Sequence, residues 1–313
     1  MQNANMDRLL TQQSSLYKTQ QQAMAQKKIL VPSDNPLGTA TVLSSNKQLS
    51  SIQSWLDNIN TLSGESNMMD STFSTIQDKL NRLNELAISG SSGTNNADGT
   101  MTAIQDEVTS IKKFMVDLAN TQYNGKYVFG GANTATPPYT LQDDGSITYN
   151  GTVTLNPDGT VNTSATGYQR PVEISDGTQA YANYPGDAVF GYYDASTNPP
   201  SGMGIFKTIS DLENACDPQN PNSDDIRAQI DKLQDGLSNV SLYRTKNGIT
   251  SQKLDMTQST LQDTQLLVTQ KKSDAQDLDV VQAYTNLSQQ MYAYQASMQI
   301  ASSISNTSLL NYM

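Results

Sequence analysis

The chain has 313 residues, a formal charge of −11 and only 36% hydrophobic residues, too lean a supply for one large compact core. Without a basic stripe it lacks the Lys/Arg surface that displaces counterions from nucleic acid, which excludes a sequence-independent nucleic-acid binder. Histidine is absent and Cys216 is the single cysteine, which excludes histidine-based acid–base catalysis, an internal disulfide and Cys/His zinc sites.

The N-terminus, MQNANMDRLLTQQ, is polar and has no apolar run of the signal-peptide kind. No window approaches the ~20 apolar residues that span a bilayer, so the expectation is a protein that inserts into no membrane and either stays in the cytoplasm or leaves without a cleaved signal. Residues 4–28 read as a glutamine-rich helix with a weak stripe of Met6, Leu9, Leu16 and Ala23, Gln13 and Gln20 filling the places between. Such a helix buries little alone and needs a partner.

KKILVPSDNPLGTA (27–40) interrupts it. Pro32 and Pro36 push Val31 and Asn35 out of the right-handed helical region. Asp34 or Asn35 can then cap a new helix with Pro36 in its first turn. The segment Pro32, Ser33, Asp34, Asn35, Pro36 therefore reads as a short, stiff hinge.

From Ile52 the apolar positions run Leu56, Ile59, Leu62, then Met69, Phe73, Ile76, Leu80, Leu83 and Ala87, with Ser66 the polar occupant. Steps of three and four mark a coiled-coil-like seam. One helix is predicted from about Leu37 to Ser89, roughly 80 Å long at ~1.5 Å per residue. GSSGTNNADGT (90–100) closes it with turn formers, and a second helix follows on Ile104, Val108, Ile111, Met115 and Leu118.

The composition then changes. Residues 133–204 are rich in Gly, Pro, Asn, Asp, Thr and Tyr. Ile147, Tyr149, Val153 and Leu155 alternate between DDG, NG and PDG turns, which predicts a small antiparallel β domain. Asp143, Asp144 and Asp158 are the carboxylates that a glycosidase pair or a calcium site would use. Each lies in a turn string beside Gly, where Asp stabilises the turn.

Helix resumes at Phe206, Ile209 and Leu212, and after CDPQNPNSDD along Ile226, Ile230, Leu233, Leu237 and Val240, continuing weakly through Leu254, Leu261 and Val268. KKSDAQD (271–277) loosens the pattern. It restarts as Leu278, Val281, Tyr284, Leu287, Met291, Tyr294, Met298 and Ala301. The expected fold is mainly α with an inserted β domain. An elongated antiparallel bundle is divided by a small antiparallel β domain, and terminal helices serve assembly. The expected parts are an N-terminal assembly helix (1–31), bundle halves (32–132 and 205–273), an outer β domain (133–204) and a C-terminal assembly helix (274–313).

Three strings carry a family resemblance. VPSDNPLGTA resembles the hinge after the N-terminal helix of flagellins. LANTQYNGKYVFGG resembles the exit from the second bundle helix into the outer domain. DVVQAYTNLSQQMYAYQASMQIASSISNTSLLNYM resembles the C-terminal helix. With the scarcity of Cys and His, the chain resembles the flagellin superfamily, and within it the hook–filament junction branch; filament flagellin or a related secreted coiled-coil structural protein is the alternative. Members usually carry a short lead-in before the segment matching NMDRLLTQQSSL, and here it is nearly absent.

The resemblance implies a non-enzymatic axial subunit without cofactors, located in the extracellular flagellum and exported through the flagellar type III apparatus. Its partners would be itself, the hook-side junction protein, filament flagellin and an export chaperone at the C-terminal helix. The assembly interface expected on that helix is Tyr284, Leu287, Met291, Tyr294, Met298, Leu309 and Leu310. Two further expectations follow: that the β segment can be removed without loss of the bundle, and that the terminal helices order only on assembly.

Overall fold

The computed structural model describes residues 2–92, 99–131, 133–143, 145–150, 170–181, 183–191 and 204–310, without the side chains of residues 2–5 and 303–310. The elements are α1 (Gln2–Ala25), a 3-10 turn (Pro32–Asp34), α2 (Pro36–Ser91), α3 (Thr100–Ala119), β1 (Gln122–Tyr123), β2 (Lys126–Tyr127), β3 (Tyr139–Leu141), β4 (Ile147–Tyr149), β5 (Pro171–Ser175), β6 (Thr178–Tyr181), α4 (Gly186–Phe190), α5 (Ile205–Ala215), α6 (Ser223–Gln276) and α7 (Val280–Leu310). Helix thus predominates, with short antiparallel hairpins between two helical halves.

Two compact units form: Trp55–Thr260, and Met1–Ser54 together with Leu261–Met313. This partition differs from the one expected from the hinge and the C-terminal break. Helices α2 and α6 run without interruption through residues 54/55 and 260/261.

In the 55–260 unit, α2 buries Ile59, Ser66, Phe73, Leu80 and Ala87, one every seventh residue, with Leu62, Met69, Ile76 and Leu83 between them. Helix α6 does the same with Ile226, Leu233, Val240, Asn247 and Leu254. A strict seven-residue repeat keeps one seam facing its partner. Side-chain pairs fix the antiparallel register: Gln77 with Ser241, Asp70 with Arg244, Ser66 with Asn247 and Asn60 with Gln258.

The seam's polar occupants meet. Ser66 Oγ donates to Asn247 Oδ1 at 3.0 Å, and Asn247 Nδ2 donates to the Ser66 carbonyl at 2.8 Å. Both residues are buried, so a slip of one turn would orphan both, and the pair specifies register much as a single polar seam residue does in coiled coils. Gly64 sits within the continuous α2 for a reason of space, since a Cβ there would collide with the Tyr123 hydroxyl.

The segment between the helical halves is not separable from them. Phe129, Tyr139, Tyr184, Val189 and Phe190 are buried in the same core as Phe73, Phe206, Ile209 and Tyr243. Ring centroids lie 5.7 Å apart for Phe73–Phe129, 5.2 Å for Phe129–Phe190, 5.3 Å for Phe190–Phe206 and 5.4 Å for Tyr184–Tyr243. Asn239 of α6 donates to the carbonyls of Ala188 and Val189, at 2.9 and 2.7 Å. Buried Glu65 of α2 pairs with Arg170 at 2.8 Å; burial raises its carboxyl pKa, and Arg170 opposes the rise. Deleting 133–203 would remove part of the bundle's own core, which corrects the expectation that the segment is dispensable. Val153 and Leu155 lie outside the described residues.

Candidate assembly surface of the terminal helices

The chain bends between α1 and α2 and again between α6 and α7, and the two bends are hydrogen-bonded to each other. Helix α1 stops at Ala25 because Gln26 turns left-handed (φ 53°), and Lys27 N then donates to the Gln22 carbonyl at 3.1 Å. This is the Schellman closure, with glutamine where glycine is usual. On the returning chain α6 ends at Gln276, and the break falls at Asp277–Asp279, so of the expected break 271–277 only the last residue is non-helical. Lys28 N donates to the Gln276 carbonyl at 2.7 Å and Leu278 N to the Gln26 carbonyl at 3.1 Å, a short antiparallel bridge centred on Lys27 and Asp277.

The hinge residues divide the capping work. Asp34 accepts hydrogen bonds from the amides of Leu30 (3.0 Å) and Val31 (3.2 Å) and an ion pair from Lys18 (2.7 Å). Lys18 first, then the two amides, hold its carboxyl down to a pKa of about 2. Asn35 caps α2: its Oδ1 accepts from Gly38 N at 2.9 Å and its carbonyl from Thr39 N at 2.8 Å, with Pro36 as the first helical residue. Pro32 opens the 3-10 turn, and Ser33 lies exposed within it. Asp279 caps α7 in the same way, accepting from Gln282 N at 3.0 Å.

Helices α1 and α7 pack on each other, running antiparallel from the bridged bends. The covered face of α1 carries Leu9, Gln13, Leu16 and Ala23; Met6 and Gln20, expected on that stripe, are exposed. The covered face of α7 carries Ala283, Leu287, Gln290, Tyr294, Ser297 and Ala301. Of the expected interface, Leu287 and Tyr294 therefore lie on this inner side; Val281, a member of the expected stripe, is exposed. The side chains of Leu309 and Leu310 lie outside the described residues.

A second stripe stands beside the covered one on each helix. On α1 it is Met6, Leu10, Tyr17 and Met24; on α7 it is Tyr284, Met291 and Met298. These seven side chains are 47–77% exposed. The α1 stripe was missed in sequence because Leu10, Tyr17 and Met24 recur every seventh residue without the intermediate apolar positions that complete a seam. Each terminal helix thus spends one face on its partner in the chain and keeps another, apolar, in solvent.

Among the described residues the carboxylates singled out in sequence form no site. Asp143 is exposed, Asp144 and Asp158 lie outside the described residues, and among the described residues no three His, Cys, Asp or Glu side chains group as metal ligands. Burial pushes the Cys216 thiol up to about 11, away from the thiolate that reacts. Among the described residues no helix is long and apolar enough to cross a membrane.

The described residues form long, seam-packed helices, with the two terminal helices joined at hydrogen-bonded bends. Residues 1–134 match the bacterial flagellin N-terminal helical region. No curated relative matches the sequence. The fold is similar to that of a putative flagellar hook-associated protein from Vibrio parahaemolyticus, at 18% identity and a TM-score of 0.65 over 78% of this chain and 100% of that one. It is similar also to Bacillus cereus FlgL (17% identity, TM-score 0.56, 74% of this chain and 99% of that one). A third likeness is to flagellar hook associated protein-3 from Legionella pneumophila (14% identity, TM-score 0.59, 74% and 98%).

Proposed function

We propose that this chain is a structural subunit of the bacterial flagellum that joins the hook to the filament, exported unfolded and assembled through its terminal helices. The observation that carries the proposal is the pair of exposed stripes on α1 and α7. A monomer gains nothing from Leu10, Tyr17, Tyr284 or Met291 in water, whereas burying each apolar side chain between subunits is worth about 1.5–3 kcal/mol. The flagellin-type N-terminal region and the fold shared with hook-associated proteins support the same reading. Its partners are then further copies of itself, the hook-side junction protein, filament flagellin and an export chaperone that holds the C-terminal helix. The bridged bends join the two terminal helices, so that they would enter the assembly as a pair. No enzymatic role is assigned.

A second reading, filament flagellin, is favoured by the match over residues 1–134. Labelling decides between them. An epitope-tagged chain seen by electron microscopy as one spot at the base of each filament, with filaments lost when its gene is deleted, supports the junction role. Label along the whole filament would overturn it in favour of flagellin.

A further inference from the structure

The two outer stripes are built largely from methionine: Met6 and Met24 on α1, Met291 and Met298 on α7. All four are exposed, by 60%, 77%, 47% and 50%, whereas Met69, Met101 and Met115 in the 55–260 unit are at most 5% exposed. Thioethers in water react with peroxides, and those enclosed by side chains are shielded. We propose that Met6, Met24, Met291 and Met298 are oxidation sites through which a peroxide switches the assembly surface off in the unassembled subunit. This inference rests on the assembly reading above.

The chemistry is a two-electron oxygen transfer. The sulfur lone pair attacks one peroxide oxygen and the O–O bond breaks. The sulfur becomes a sulfoxide, and the other oxygen leaves as water once protons have shifted. The sulfoxide turns an adaptable apolar side chain into a polar one with a strong acceptor. On a face that must be desolvated to assemble, each unpartnered sulfoxide lowers association by on the order of tenfold. Oxidation is reversible by sulfoxide reduction, so the modified subunit is stalled rather than lost. Once neighbours cover the stripes, the same methionines are protected, which confines the switch to the subunit before assembly. Leucine at these positions would supply equal apolar surface without this sensitivity.

The test has two arms on the full-length chain. Purified protein is treated with dilute hydrogen peroxide and its peptides are mapped by mass spectrometry. Sulfoxide is expected at Met6, Met24, Met291 and Met298 at rates comparable to those of the exposed references Met68 and Met256, with Met69 and Met115 unmodified. Oxidation of Met69 or Met115 as fast as the four would overturn the proposal. In cells lacking their own copy, the fourfold Met→Leu chain is expected to support filaments and the fourfold Met→Gln chain, which imitates the polar sulfoxide, to lose them. Circular dichroism of both variants guards against misfolding. A Tyr17→Asp/Tyr284→Asp chain separates the two levels of the argument. If it loses filaments while Met→Gln keeps them, the oxidation switch is wrong and the assembly reading stands. If both keep them, the assembly reading itself fails.

Discussion

Phe190 tests whether the inserted segment belongs to the bundle. Its ring is fully buried and contacts Phe129 (centroids 5.2 Å, interplanar 76°), Tyr139 (5.5 Å, 79°) and Phe206 (5.3 Å, 34°). Phe190→Ala removes a buried aromatic and leaves a cavity among large rings, a change that costs about 3–5 kcal/mol. Edge-to-face pairing contributes about 0.5–1.5 kcal/mol per pair beyond burial, which places the loss in the upper half of that range. For a unit of this size each kcal/mol moves the melting temperature by roughly 2–4 °C, so the whole helical signal should melt some ~8–20 °C earlier. The assay is thermal unfolding followed by far-UV circular dichroism. Ile249→Ala, a truncation on the exposed side of α6, is the control and should stay within about ±0.5 kcal/mol. A Phe190→Ala protein whose helices melt with the wild type would refute the shared core and restore a separable insertion.

Three further outcomes are expected. Asn247→Ala leaves the buried Ser66 hydroxyl without its partner and should cost about 1–3 kcal/mol by chemical denaturation, whereas adding Ser66→Ala should recover part of that loss; purely additive costs would show that the pair is not coupled. The Asp34 carboxyl titrates near 2 in the folded chain against an ordinary 3.8, so its contribution is complete above the ordinary value and is lost as pH falls through about 2; amide exchange at Leu30 and Val31 should accelerate over that interval, and Asp34→Asn should remove the dependence. Replacing Pro32 and Pro36 by alanine should leave the melting of the 55–260 unit unchanged yet abolish motility, and normal swimming would contradict the role given to the hinge.

Much of the helical framework was legible in sequence because packed seams impose their own period. Ile59 to Ala87 and Ile226 to Val240 announce α2 and α6, and the two prolines with Asn35 announce where α2 begins. The inserted segment was misread for the converse reason. Tyr139, Tyr184 and Phe190 sit in Gly- and Pro-rich stretches where no repeat signals which aromatic turns inward, and only the fold brings them to Phe73 and Tyr243. The face of α7 was legible in part. Its packed side uses Ala283, Gln290 and Ser297, small or polar residues that allow close approach to a glutamine-rich partner and carry no apolar signal. The more apolar Tyr284, Met291 and Met298 stand in solvent. Apolarity alone marked the surface that needs covering, and burial in the chain marked the other.

The central claim is that the outer stripes, rather than the face shared by α1 and α7, join one subunit to the next. Filaments per cell, counted by electron microscopy in cells lacking their own copy of the chain, measure it directly when Leu10→Asp and Met291→Asp are introduced together. Both residues are exposed, so the monomer should keep its helical content and melting temperature. The account predicts a secreted, folded subunit and hooks without filaments; a normal number of filaments from that double variant would contradict it.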